Sequence, residues 1–589
     1  MQPETIPHRV LSNAERLGST AAYHVRGPSG WQATRWSGYG DEVRRAGEAL
    51  VALGVEAGTP VCILGANRPE WVIFDVGAMA AGAIPAGIYA TSSPSECEYI
   101  LNHSEAPVLL VENATQWAKI AAVRDQLPHL RHVVLMAGED GADDAMVLSW
   151  DAFLAGGDDG SVLDARLDAL RPESHGTFIY TSGTTGRPKA VMLTHDNLAW
   201  TASRAADLVG ATPEDRVLSY LPLSHIAEQM FTIHIPAITG SAVYYAESLD
   251  KLVENLNEVR PTLFFGVPRV WEKFQSGVAA KLAEATGVKA KLAAQAMAVG
   301  RQVTDRRNRS QSVPLPLDIQ YKAFQKVVYH KVKAALGLDQ TRLCASGAAP
   351  VAQEVLEFFA GLDLPIYEVY GQSEDSGPTT FNAPGHTRFG TVGPAFPGVE
   401  VKIAGDGEIL VRGRNVFAGY YKDPEATAEA LEDGWLHSGD LGEFDADGFL
   451  TITGRKKDII VTSGGKNVAP KLIEGGFKNH PLISEAVVIG DRRKYLTVLL
   501  TLDAEAAGRF LEERGLSGRP ADNDAVKAEI EKVLNEVNTD LARVEQVKRF
   551  CILPRELSIP DGELTPTLKV KRNVVHENFA AEIEAMYSG

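Results

Sequence analysis

Asp41-Glu-Val-Arg-Arg-Ala-Gly-Glu-Ala-Leu-Val-Ala-Leu53, closed by Gly54 and followed by Val61-Cys-Ile-Leu64, sets the fold class. Val43, Ala46, Leu50 and Leu53 recur at helical spacing and share one face. Gly54 can end the helix, and four apolar residues in a row then read as a short buried strand. Pro69 opens the next helical stretch. The same alternation returns around Pro107-Val-Leu-Leu-Val111, His132-Val-Val-Leu-Met136 and Gly240-Ser-Ala-Val-Tyr-Tyr245. An α/β protein is expected, with helices packed on largely parallel sheets.

Texture shifts twice further along. Between Trp271 and Leu338 the chain turns Ala-rich and basic, carrying Arg301, Arg306, Arg307, Arg309, Lys322, Lys326, Lys331 and Lys333, with Ser312-Val-Pro-Leu-Pro316 as a break. A solvated helix face is the ordinary meaning of such a run; docking on an anionic membrane is the alternative, each basic residue at the surface adding ~1 kcal/mol. After Gly398, short alternating strands (Glu400-Val-Lys-Ile, Gly407-Glu-Ile-Leu-Val-Arg412) and the tight turn Asp445-Ala-Asp-Gly448 form a β-rich lobe. Beyond Lys457, a strand at Ile459-Ile-Val, a helix from Pro470, strands at Ala486-Val-Val-Ile489 and Leu496-Thr-Val-Leu-Leu500 and a polar helix from Val526 to Val537 suffice for a small α+β domain. The expected division is residues 1–456, with a helical insertion at about 271–338, and residues 457–589.

A chain of 589 residues exceeds one ordinary core. With 45% hydrophobic and 23% charged residues it is neither disordered nor fibrous. The net charge of −18 disfavours nucleic acid, which demands Lys and Arg for its phosphates. Cys62, Cys97, Cys344 and Cys551 are scattered, without metal-ligand spacing, and read as buried small hydrophobes. The N-terminal residues lack the basic and apolar stretches of a secretory signal, and no apolar run reaches the ~18 residues of a membrane-spanning helix. A cytoplasmic location is expected, with any membrane contact peripheral; monomer and homodimer both stay open.

Chemistry concentrates at Thr177-Phe-Ile-Tyr-Thr-Ser-Gly-Thr-Thr-Gly-Arg-Pro-Lys189. A β-rich run passes into Thr181, Ser182, Gly183, Thr184, Thr185 and Gly186, whose backbone N–H groups and hydroxyls can surround a polyphosphate while Lys189 adds a point charge. Two glycines alone would mean a flexible turn; the unbroken series of hydroxyl and glycine positions argues against that. The Gly-Lys-Ser/Thr of a Walker loop is missing.

This loop resembles the phosphate-binding loop of the adenylate-forming superfamily of acyl-CoA synthetases, peptide-synthetase adenylation domains and luciferases. Similar in family order are Ser219-Tyr-Leu-Pro-Leu-Ser-His-Ile-Ala-Glu228, Ser346-Gly-Ala-Ala-Pro350, Tyr370-Gly-Gln-Ser-Glu374, Trp435-Leu-His-Ser-Gly-Asp440, Gly454-Arg-Lys-Lys-Asp-Ile-Ile460 and Leu564-Thr-Pro-Thr-Leu-Lys-Val-Lys-Arg572. The resemblance covers nearly the whole chain. It implies ATP, Mg²⁺ and coenzyme A as reactants and cofactor, and a mobile C-terminal domain.

By the same resemblance Gly347, Ala348, Ala349, Tyr370, Gly371, Gln372 and Ser373 surround the nucleotide, Asp440 accepts from the ribose hydroxyls with Arg455 beside it, and Glu374 with Thr184 holds the metal. Lys569 is the catalytic lysine, His225 lies against the acyl carboxylate, and Lys457 is the hinge. Ser463, Gly464, Gly465 and Lys466 then flank the pantetheine channel, although paired glycines also suit a plain hairpin turn. The physical need is clear, since joining a carboxylate to a phosphate brings two anions together and positive charge must be aimed at them. A lone Glu, Lys or His would more often be a surface or core residue; the motif context reverses that.

Arg260-Pro-Thr-Leu-Phe-Phe-Gly-Val-Pro-Arg-Val-Trp-Glu-Lys273, the helical insertion and Thr565-Pro-Thr-Leu-Lys569 look like long-chain acyl-CoA synthetases, the bubblegum-type branch especially. Leu568 stands where small-acid members usually have glycine, and Ala190 where glycine is usual after the loop lysine. The expected activity is adenylation of a fatty acid, then acyl transfer to coenzyme A. The alternatives are a fatty acyl-AMP ligase, disfavoured by the uninterrupted 454–470 stretch, or a ligase for another hydrophobic acid. A peptide-synthetase unit is expected to continue into a carrier domain, and a non-catalytic regulator to have lost Glu374 or Lys569.

Overall fold

The computed structural model describes residues 5–138, 144–157, 159–181, 187–464, 466–539, 541–543, 545–565 and 569–588. Strands Pro60–Leu64 and Val108–Val111 are buried along their whole length, as strands covered on both faces must be. They lie inside an eight-stranded sheet in the spatial order Gly419–Tyr420, Lys189–Thr194, His175–Thr181, Ile84–Ile88, Pro60–Leu64, Val108–Val111, His132–Leu135 and Val147–Ser149. From His175–Thr181 to Val147–Ser149 the pairing is parallel; Lys189–Thr194 turns back antiparallel on His175–Thr181. Helix Pro69–Ala80 is buried from Trp71 to Ala80, which explains its nearly unbroken apolar composition.

The helix expected from Asp41 begins at Trp36, because buried Trp36 and Tyr39 extend its apolar face by a turn; it ends at Ala52, with Gly54 at φ 78°. The strand expected at Ile459 is only Ile460–Val461, paired antiparallel with Asn467–Val468.

Two smaller sheets carry the rest of the large lobe: Arg216–Ser219, Ala242–Tyr245, Ala21–Gly27 and Gly30–Arg35 in one, and Leu263–Gly266, Leu343–Ser346, Ile366–Tyr370 and Thr380–Phe381 in the other. A β-rich lobe follows, built on Glu400–Ile403, Glu408–Arg412 and Trp435–Phe444. The basic stretch is helical over Pro268–Ala283, Gly287–Asn308, Leu315–Phe324 and His330–Ala335. Its charge is partly matched: Arg307 and Lys333 converge on Asp363 at 3.7 and 2.7 Å, and Lys322 pairs with Asp318 at 2.7 Å. Cys62, Cys97 and Cys344 are buried as expected, whereas Cys551 is half-exposed.

From Ile460 onward the chain packs its own core, with Phe477, Val488, Val498, Leu500 and Ile530 at its centre. Strand Leu496–Leu502 lies between Ile483–Ile489 and Val547–Ile552. This unit touches the large lobe through Lys571 Nζ to Glu96 (3.8 Å), Arg269 to Glu485 (3.0 Å) and Asn479 to Glu354 (3.4 Å). Among the described residues no helix is long and apolar enough to cross a membrane.

Candidate active site

Polypeptide must change direction sharply where strands end, and the candidate residues collect at such ends. Strand Ile366–Tyr370 runs into Gly371, where a Cβ would lie 1.5 Å from the carbonyl oxygen of Gly377, so only glycine fits. The short turn Ser373–Asp375 follows. Asp375 fixes it by accepting from the Gln372 N–H at 2.7 Å and from the Thr379 hydroxyl, and burial pushes its carboxyl up to about 7. Half-buried Glu374 is thereby turned outward, with Oε1 accepting from the Tyr420 hydroxyl at 2.8 Å.

Strand Leu343–Ser346 likewise ends on Gly347, where a Cβ would come within 2.7 Å of the Val369 side chain, and on Ala348, held at φ 67°. A non-glycine residue in this left-handed region is strained by about 1–2 kcal/mol, the kind of strain that gathers at functional sites. Beyond strand Arg216–Ser219 comes His225. Its Nδ1 accepts from the Ala227 N–H at 3.2 Å, which leaves the ring proton on Nε2. Burial, assisted by the charge of Lys569, pulls its pKa down to about 4, so it is a neutral N–H donor. Glu228 anchors this segment, accepting from Ser219 and Thr232 at 2.7 Å each and from Asn67 at 3.2 Å.

Lys569 comes from the other unit. Its backbone N–H donates to Thr565 Oγ1 at 3.0 Å, and its carbonyl accepts from the Thr565 N–H at 2.8 Å, closing a tight loop. Lys569 keeps accessible surface as a residue and lines a cavity walled by protein. Desolvation there, with Arg455 nearby, pulls its pKa down to about 8, against the opposite pull of Asp440 and Glu374.

The cavity encloses about 700 Å³. Thr181, Lys189, His225, Ala348, Gly371, Gln372, Ser373, Glu374, Arg455, Lys457 and Lys569 all line it. Lys189 stands 4.8 Å above the ring of Tyr420 and 3.7 Å from Asp423. Lys457 follows Lys456, whose ammonium is tied to Asp406 and Glu408 at 2.7 and 3.0 Å. Gly347, Tyr370 and Asp440 do not form its wall, and Ala349 is exposed. Tyr370 and Gln372 donate to Asp440 Oδ2 at 2.8 and 3.1 Å and Arg455 donates to Oδ1 at 2.7 Å, so the carboxylate has room for about one more donor where a pair was expected.

Ser463, Gly464 and Lys466 sit exposed on the hairpin joining Ile460–Val461 to Asn467–Val468, away from the cavity. Ser182, Gly183, Thr184, Thr185, Gly186 and Gly465 lie outside the described residues. Sequence reasoning missed Tyr420, Asp423, Asp375 and Asn67. Only Asp375 adjoined a recognised motif, as the next acidic residue after Glu374.

From this polar end an apolar arm extends between Ala205, Leu208 and Val209 of helix His195–Val209, Met230 and Phe231, and the strand residues Leu263, Phe265, Leu343 and Ala345. Phe231 and Phe265 stack at 5.1 Å. Met230–His234 is a π-helical turn, an arrangement frequent at functional sites. A cationic chamber opening into an apolar arm suits an amphiphile with an anionic head.

The AMP-binding enzyme pattern matches residues 12–421, and the AMP-binding enzyme C-terminal domain pattern matches residues 457–589. The chain belongs to the AMP-binding enzyme family. It is 39% identical, over all of its length and 84% of the relative's, to the long-chain-fatty-acid–CoA ligase ACSBG2 of Xenopus laevis. It is 40% identical, over 93% of this chain and 91% of the relative, to the long-chain-fatty-acid–CoA ligase FadD15 of Mycobacterium tuberculosis. Among solved structures the fold resembles the anthranilate CoA ligase AuaEII in complex with anthranoyl-AMP, with a TM-score of 0.73 at 20% identity, covering 99% of each chain. It also resembles the A domain of a carboxylic acid reductase from Segniliparus rugosus, with a TM-score of 0.74 at 18% identity, covering 99% of this chain and 94% of that one.

Proposed function

We propose that this chain is an AMP-forming long-chain fatty acid–CoA ligase. The fatty carboxylate oxygen attacks the α-phosphorus of ATP, forming the acyl–phosphate bond as pyrophosphate leaves. The coenzyme A sulfur, its proton lost to solvent, then attacks the acyl carbonyl and AMP departs with the bonding electrons. The observation that carries this reading is the cavity of about 700 Å³ in which Lys569, Lys189, Arg455 and neutral His225 stand together with an apolar arm. The similarity to two long-chain ligases supports the same substrate class.

In this reading Lys569 steadies charge at the α-phosphate and Lys189 at the departing phosphates. The Nε2–H of His225 orients the acyl oxygen. Asp440 and Arg455 bind the ribose, while Gly347, Ala348, Ala349, Tyr370, Gly371, Gln372 and Ser373 enclose the base. Mg²⁺ is usually bound by one or two carboxylates plus substrate phosphates, so Glu374, with one oxygen committed to Tyr420, fits as its protein ligand, and Thr184 with it. When bound, that ion neutralises phosphate charge.

The chain divides at residues 456/457. Rotation of the C-terminal unit about Lys457 would withdraw Lys569 and bring the Ser463, Gly464, Gly465, Lys466 hairpin to the thiol's path. Peripheral contact with anionic membrane belongs to the insertion, where exposed Leu315 and Ile319 share a helix with Lys322.

A fatty-acid panel with ATP and coenzyme A, quantifying AMP and thioester separately, tests the assignment. Equal amounts of both products with long acids are expected. Acyl-AMP without thioester would instead define an acyl-AMP ligase.

A further inference from the structure

The apolar arm has a built end. Strands Leu263–Gly266 and Leu343–Ser346 run parallel, with Leu263 opposite Leu343 and Phe265 opposite Ala345. Both strands run toward the reacting end, where Ala348 and His225 lie. Leu343 precedes Gly347 by four residues, a drop of ~13 Å at ~3.3 Å per residue. At that depth Leu208 and Val209, in the last turn of helix His195–Val209, also line the arm.

Behind this apolar end stands a polar clamp. Arg342, the neighbour of Leu343, donates from Nη2 and Nε to the Asp215 carboxylate at 2.6 and 3.1 Å. The same guanidinium donates to the Val209 carbonyl at 2.5 Å and the Gly210 carbonyl at 3.0 Å. These are carbonyls that a helix end leaves without intrahelical partners, and a cation is favoured there. Asp215, only 4% exposed, also accepts from the Thr262 hydroxyl at 2.6 Å and the Thr212 N–H at 2.8 Å. One fork thus joins the strand edges at Thr262 and Arg342 to the helix terminus carrying Leu208 and Val209.

We propose that the Arg342–Asp215 clamp sets the upper limit of acyl length, by holding Leu208 and Val209 against Leu263 and Leu343 as a wall for the substrate's methyl end. This rests on the reading of the arm as the acyl channel. Arg342 is a positioning residue; it acts through the helix terminus.

The test is kcat/KM over saturated fatty acids of graded length for the wild type, Leu343→Phe, Leu343→Ala, Arg342→Gln and Arg342→Lys, each checked for folding by thermal melting. A difference of one methylene against an apolar wall changes kcat/KM by about tenfold or more. Leu343→Phe is therefore expected to lower the longest accepted acid about tenfold relative to acids a few carbons shorter. Leu343→Ala and Arg342→Gln are expected to raise that ratio, with Arg342→Lys, which keeps the charge without the fork, in between. Arg342 variants that change all lengths by one common factor, whatever their melting temperature, while the Leu343 variants shift the preference, would overturn the clamp and leave the channel reading intact; a common factor in the Leu343 variants as well would overturn both. A wild type that forms acyl-adenylate from no fatty acid would overturn the channel reading and the clamp with it.

Discussion

Lys569 and His225 line one cavity, and burial lowers the pKa of both. With its pKa near 8, Lys569 is still largely ammonium at neutral pH and loses its charge as pH rises through that value. The kcat/KM of adenylation, which reports the free enzyme, is expected to fall through a limb near pH 8, and that limb is expected to be absent in Lys569→Arg. His225, held near 4, stays neutral across the same range and contributes no rising limb at its ordinary value of 6.5. A profile over about pH 6–10 checks both statements. Glu374→Ala is expected to raise the Mg²⁺ concentration needed for half-maximal adenylation, measured by magnesium titration at fixed ATP. Lys569, Glu374 and His225 were legible because each sits in a contiguous motif. Tyr420, 46 residues from Glu374, and Arg342, 127 from Asp215, were not, because contacts across such separations leave no spacing to recognise.

Strand and helix ends decide what the site can reach. The contacts of Lys571 with Glu96 and Arg269 with Glu485 hold the C-terminal unit where Lys569 enters the cavity. Each pair joins a more exposed side chain to a more covered one, and surface pairs are worth about 0.2–1 kcal/mol each. Lys571→Gln combined with Arg269→Gln is therefore expected to slow adenylation about two- to thirtyfold relative to thioester formation from supplied acyl-AMP, and added salt is expected to mimic the effect in the wild type. Stopped-assay rates of the two half-reactions measure this. Helices such as Pro69–Ala80 were readable from periodicity and a proline start. The π-helical turn Met230–His234, which brings Met230 and Phe231 to the arm, was not, because a shift from four- to five-residue hydrogen bonding follows from packing rather than composition.

Across the whole molecule, two cores meet at a cavity that neither builds alone: Lys569 belongs to one side, and His225, Glu374 and Arg455 to the other. The α/β class followed from alternating helices and strands, whereas the mutual placement of the units depends on a few polar contacts without periodic signature. The basic insertion gives a test at this scale. Leu315 and Ile319 are 71% and 59% exposed beside Lys322, on a chain of net charge −18. Weak flotation with anionic vesicles, abolished by salt and by Leu315→Ser with Ile319→Ser, is expected; no flotation at low salt would return these helices to a simple solvated face.

In the proposed reaction a charged lysine from the C-terminal unit reaches a cavity that receives a long acyl chain. Fatty-acid-dependent exchange of pyrophosphate into ATP, measured without coenzyme A, reads that step alone. Exchange with long-chain acids is predicted for the wild type, falling at least ~10²-fold in Lys569→Ala while thioester formation from supplied acyl-AMP changes far less. No exchange with any fatty acid, or equal loss of both half-reactions in Lys569→Ala, would contradict it.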